Sequence, residues 1–187
     1  MNVLFRAFKG FLARDPARAA RMRFHFIGTD YSPPPMGRDW AMPIARSLGV
    51  EAYVDEHRHR VPYFDALYYL RNASALLALG SNDPTYSASK IFPCILARRP
   101  LLLVFHEQSP VLAFARRAAV GTRFSFRSPG DVDSLASEVM ENWFVGGGHG
   151  RYAPFEEEAF DEFTAARLTA RLAGVFDRAA GGGPPSP

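Results

Sequence analysis

The residues best equipped for chemistry lie in "GSNDPTYSASK", residues 80 to 90, where Ser81, Tyr86, Ser87 and Ser89 supply hydroxyls and Lys90 an ammonium. The stretch separates the apolar runs "ALLALG" and "IFPCIL", so it reads as a loop that leaves a strand and ends where a helix begins. A helix start presents unpaired backbone N–H groups, and a serine and a lysine beside them make the chemistry of a phosphate site. The same residues also suit a plainer role, in which Ser87 or Ser89 caps the helix and Lys90 is a solvated first-turn side chain. Three further loops hold polar residues at apparent strand ends: Gly28-Thr29-Asp30, Glu56 to Arg60, and His106-Glu107-Gln108-Ser109.

Other chemistries fit less well. His57 and His59 share one side of a strand, but two histidines without a third convergent ligand do not make a zinc site. "HEQSP" has no second histidine four residues after His106, and "FVGGGHGRY" follows a helix and matches no phosphate-loop pattern. Cys94 stands among Phe92, Ile95 and Leu96, which is no setting for a reactive thiol. No metal and no cofactor is expected.

The elements that must position these loops alternate along the chain. A first helix carries Val3, Leu4, Phe8, Phe11 and Leu12 on one face, followed by a strand over Met22 to Gly28 and a proline-rich loop, "YSPPPMGRDW". "AMPIARSLG" predicts a short helix closed by Gly49, and "VEAYVDEHRHRV" a second strand. "PYFDALYYLRNAS" places Phe64, Leu67, Tyr68 and Leu70 at helical spacing. The strands "ALLALG" and "PLLLVF" have no polar alternation, as expected of central strands buried on both faces. Helices at "SKIFPCILARR", 109 to 119 and Pro129 to Trp143, with a strand at "GTRFSF", complete about five rounds. A long charged helix over 155 to 178 follows, begun by three glutamates that suit its positive end.

Such alternation predicts an α/β domain with a doubly wound, Rossmann-like, mostly parallel sheet and helices on both faces, occupying residues 1 to 178. Residues 179 to 187 read as a disordered tail. The length of 187 residues suits one domain, and 48% hydrophobic with 22% charged residues is ordinary globular composition. A net charge of +3, with the basic residues scattered, argues against nucleic acid as partner. The single cysteine excludes an intrachain disulfide, and no apolar run reaches the roughly 18 residues of a transmembrane segment, so a cytoplasmic setting is expected.

Four blocks in order, "FHFIGTDY", "VPYFDALYYLRNASALLALGS", "YSASKIFPCILARRPLLLV" and "FRSPGDVDSLASEV", resemble the C-terminal half of a GT-B-fold glycosyltransferase of the family 4 type, from about residue 20 to 143. In that family this lobe binds a nucleotide-sugar donor, the N-terminal lobe binds the acceptor, and transfer needs no obligatory metal. The resemblance implies that Ser89 and Lys90 lie beside the donor, with Tyr86 and Ser81 lining the same loop and Arg60 and Thr29 bordering it from neighbouring strand ends. Gly28, Gly80, Glu107 and Ser109 would form the rim; catalytic residues are unassigned. Two departures stand out. The family's paired glutamates fall on Thr85 and Pro93, and the strand and phosphate loop that open such a lobe have no counterpart before "LFRAFKGFL". Two functions follow as expectations: a glycosyltransferase donor lobe completed by an N-terminal partner lobe, or a non-catalytic nucleotide-binding or interaction module derived from a truncated glycosyltransferase; the missing first strand would also leave an exposed sheet edge through which a homodimer is expected.

Overall fold

The computed structural model describes residues 1 to 33 and 36 to 181. Pro34 and Pro35 of the proline-rich loop, and residues 182 to 187 of the expected tail, lie outside the described residues.

The chain opens with helix α1 (Asn2–Arg14) and a four-residue α2 (Pro16–Ala19), whose start is capped by the Asp15 carboxylate accepting from the Arg18 amide. Strand β1 (Phe24–Ile27), α3 (Met42–Leu48), β2 (Val54–His57) and α4 (Tyr63–Asn72) follow. Gly49 ends α3 in the left-handed conformation, as the sequence predicts. Then come β3 (Leu76–Leu79), α5 (Ile91–Leu96), β4 (Leu101–His106), α6 (Pro110–Arg117) and β5 (Thr122–Phe126). The segment expected as one helix from Pro129 to Trp143 is a 3-10 turn, then α7 (Val132–Val139), then a π-helical turn over Met140–Val145. The long charged helix expected over 155 to 178 is two helices, α8 (Glu157–Asp161) and α9 (Ala165–Ala179). They are divided because the Thr164 hydroxyl caps α9 by accepting from the Arg167 amide.

All strand pairing is parallel, and it falls into two sheets, β1-β2 and β3-β4-β5, where one continuous sheet was expected. The three-stranded sheet has helices on both faces. Leu102 and Val104 of β4 and Phe124 of β5 join one core with α1, α3, α7 and the π turn. Leu101, Leu103 and Phe105 join a second core with α5 and α6, against which α8 lays Ala159 and Phe160.

The first core is dense in aromatic rings. α1 buries Leu4, Phe5, Ala7, Phe8 and Phe11, a stripe set by its 3.6-residue period. Phe8 meets Phe24 edge-on at 4.9 Å, and Phe11 stacks on Phe144 at 5.4 Å. Each such ring stabilises the fold by about 1.5–3 kcal/mol through burial.

β4 is the buried centre that "PLLLVF" predicts, with Leu101 to Phe105 all buried. β3 differs from expectation: Leu76 is buried, but Leu77, Ala78 and Leu79 are half-buried, because β3 has a partner on one side only. α4 has no buried residue, and Phe64 and Tyr68 are exposed at 79% and 65%.

Candidate functional site

Three of the loops singled out in the sequence meet around a residue that was not, Tyr31. β1 ends at Ile27, and the chain turns at Gly28, whose amide donates to the His57 carbonyl across the β1-β2 pair. Gly28 has φ +71°, a left-handed conformation that favours glycine, and a Cβ there would lie 3.7 Å from the Arg60 Cα. The turn after β1 and the loop after β2 are thus pressed together. That approach lays the Arg60 guanidinium 4.2 Å from the centre of the Tyr31 ring. Lys90, from the end of the loop after β3, brings its ammonium to 5.9 Å from the same ring. Arg60 beside the phenol, then the Lys90 charge, lower the Tyr31 pKa from its ordinary value. The ring is 71% exposed, so both cations border solvent-open space.

The loop carrying Tyr31 is built around two carboxylates. Asp30 accepts from the Ser32 amide at 2.7 Å, the Arg38 amide at 3.1 Å and the Trp40 indole N–H at 3.2 Å. These donors, Ser32 first, hold its carboxyl far below the usual range. Glu56 of β2 accepts from the amides of Trp40, Ala41 and Met42 and so caps the start of α3. Partial burial pushes the Glu56 pKa up, but the amide donors and the neighbouring Thr29 hydroxyl outweigh it, and the net shift is down. Thr29 Oγ1 is itself buried without closing a hydrogen bond among the described residues. Arg58 pairs with Asp39 at 3.1 Å and donates to the Gly37 carbonyl, fastening the far side of the loop. Between these groups lies an open hollow of about 570 Å³, lined by Thr29 to Ser32 and by Gly37, Arg38 and Trp40. The Arg38 guanidinium lies 3.8 Å from the Trp40 ring centre at its edge.

The remaining predicted residues are knit to one another. Gly80 donates its amide to Val104 as the chain leaves β3, and a Cβ there would stand 2.5 Å from the Phe105 ring, which requires glycine. Ser81 Oγ accepts from the Asp83 amide, and the Asp83 carboxylate accepts from the Thr85 amide and hydroxyl. The Thr85 hydroxyl, with its amide next, lowers the Asp83 pKa. The Tyr86 carbonyl accepts from the hydroxyl of Ser109, which is 1% exposed and also caps α6 by accepting from the Val111 amide. Glu107 is engaged by Arg127 at 2.7 Å. Neither Ser87 nor Ser89 caps α5: its N-cap position is Lys90 and no side chain caps it. α5 has only six residues, so its end carries a weaker partial charge than a long helix would.

The structure therefore gathers Gly28, Thr29, Arg60 and Lys90, and sets Gly80, Ser81, Tyr86, Glu107 and Ser109 into the neighbouring loop framework; Ser89 is exposed next to Lys90. Tyr31, Arg38 and Trp40 are the residues that sequence reasoning missed. An aromatic directly after the strand-ending Gly-Thr-Asp was the available signal. Among the described residues no group of three or more His, Cys, Asp or Glu is arranged to hold a metal ion, and no helix is long and apolar enough to cross a membrane. Comparison with family models, with curated proteins and with solved structures gives no match to this chain.

Proposed function

We propose that this chain is a doubly wound, nucleotide-sugar-binding lobe of the glycosyltransferase type, with the donor diphosphate held between Arg60 and Lys90 beside Tyr31. The observation that carries this reading is the convergence of two cations, from the loops after β2 and β3, on one exposed ring at the carboxyl ends of parallel strands. Ligands of open α/β sheets sit at that end. The hollow beside Tyr31, with the Trp40 ring at its edge, has room for a base or a sugar.

In transfer, the bond between the sugar C1 and the phosphate oxygen breaks and the nucleoside diphosphate leaves with the electron pair, while an acceptor hydroxyl oxygen bonds to C1 and its proton passes to the departing diphosphate. Arg60 and Lys90 would offset the charge that develops on the leaving diphosphate. The acceptor would come from a second lobe. One observation favours binding without transfer: Glu107 is engaged by Arg127 and Thr85 by Asp83, and Thr85 and Pro93 stand where the family has its glutamates.

Titration calorimetry with UDP, GDP and their sugars tests the reading. Each cation contributes a charge-assisted contact of about 1.5–3 kcal/mol. Lys90→Ala and Arg60→Ala should therefore each weaken binding about tenfold or more. Both side chains are at the surface of loops, so the melting temperature should stay within a few degrees. Failure of every nucleotide to bind would sink the proposal.

A further inference from the structure

α9 stands clear of both cores. None of its residues is buried, and all of them except Gly174 are exposed. A helix of 15 residues that packs on nothing is marginal in water, the more so with a glycine in its interior. A surface that covers one side would therefore stabilise it. The sides differ in chemistry. At 3.6 residues per turn Leu168, Leu172, Val175 and Phe176 share one stripe, and their exposures run from 46% to 63%. Arg167, Arg171 and Arg178 form a row alongside that stripe, on its Val175 edge, while Asp177, the single acid of the helix, lies nearly opposite it.

The arginines are not equivalent. Arg167 is paired with Asp161 at 2.8 Å, whereas Arg171 and Arg178 have no acidic partner among the described residues. These two share a hollow. Gly174 lies one turn from each, and a Cβ there would stand 3.7 Å from an Arg178 guanidinium nitrogen, so the Arg178 side chain folds back over the glycine toward Arg171. The space there, about 510 Å³, is lined by both arginines and by the aliphatic side chains of Leu172 and Val175. Two cations beside two aliphatic groups offer adjoining places for an anionic oxygen group and a hydrocarbon chain.

We infer that α9 is an interfacial helix that lies in the surface of an anionic lipid bilayer, with Leu168, Leu172, Val175 and Phe176 among the acyl chains and Arg171 and Arg178 on headgroup phosphates. Charge complementarity selects this occupant. The cations run beside the apolar stripe and not opposite it, and a bilayer sets a layer of phosphates directly beside hydrocarbon in the same way. Nothing buries any part of the helix, so a flat surface can reach the whole stripe. A second α9 would match less well: it brings the same arginines, and its one acid faces away from its own stripe. The inference is independent of the nucleotide site, and its test uses no nucleotide.

Co-sedimentation of the intact protein with vesicles tests it, using phosphatidylcholine alone and phosphatidylcholine mixed with about one third phosphatidylglycerol. Binding should be about tenfold or more tighter to the anionic vesicles, because each free arginine near such a surface is worth about fivefold. Arg171→Gln combined with Arg178→Gln should remove that gain. Leu172→Ser combined with Phe176→Ser should weaken binding to the anionic vesicles by about tenfold or more through loss of apolar contact. None of these side chains is buried, so all four substitutions should leave the melting temperature unchanged, which separates lost binding from lost folding. In a Phe176→Trp variant, tryptophan emission should shift to the blue with anionic vesicles beyond any shift of the parent protein. No binding, equal affinity for the two vesicle types, or full binding by the double arginine variant overturns the inference. A dimer that the Leu172→Ser, Phe176→Ser variant abolishes, with no binding to vesicles, assigns the stripe to a second copy and overturns it as well.

Discussion

At the scale of single residues, charge and burial act on the same few groups. Cys94 follows Lys90 by one helical turn on α5, and burial pushes its thiol up to about 11, against a smaller downward pull from the Lys90 ammonium. Only about one thiol in a thousand is then ionised at pH 8, against roughly a quarter for an ordinary cysteine. Iodoacetamide should therefore alkylate the native protein at pH 8 about 100-fold more slowly than the urea-unfolded chain. Lys90→Ala should slow the native reaction further, because it removes the charge that favours the thiolate. Equal rates in folded and unfolded protein, followed by mass spectrometry, would contradict this account. The raised pKa also has a stability consequence. The thiol's contribution is complete below the unfolded value of about 8.5 and is lost as pH rises through about 11.

At the scale of elements, the loop between β3 and α5 depends on a residue outside it. Ser109 accepts from the Val111 amide at the start of α6 and donates to the Tyr86 carbonyl, so one buried hydroxyl caps a helix and anchors the loop that delivers Lys90. Ser109→Ala should cost about 1–2 kcal/mol in urea unfolding, the worth of a cap with a buried partner left unpaired, and Ser109→Thr should restore most of it. An unchanged midpoint in Ser109→Ala would remove this link. α9 behaves differently. It is a 15-residue helix with no buried residue, and Leu168, Leu172, Val175 and Phe176 lie exposed at helical spacing. In the sequence it reads as part of one long charged helix, and its apolar stripe is not singled out there.

At the scale of the whole molecule, stability is concentrated where α1 crosses the first core. Phe8 is fully buried and touches Phe24, Tyr53 and Phe144. Phe8→Ala should cost about 3–5 kcal/mol, a large part of the stability of a domain this size. Phe64→Ala, on the exposed face of α4, should change stability by no more than about 0.5 kcal/mol in the isolated protein. Urea denaturation of the two variants checks the contrast, and a comparable loss in both would mean that α4 is packed after all.

What the sequence by itself determined follows from local patterning. The apolar periods of α1 and β4, the glycines at 28, 49 and 80, and the alternation of strand with helix all act over a few residues, and they sufficed for an α/β chain with parallel strands and polar loops at one end. Lys90 and Arg60 were legible as loop cations by the same logic. Only the tertiary structure decided that both face Tyr31, because that depends on how closely two turns approach at Gly28, which no spacing encodes. It also decided that β3 is an edge. "ALLALG" has the composition of a strand buried on both sides, but burial requires a neighbour, and whether a neighbour is present is a property of the assembled sheet and not of the strand.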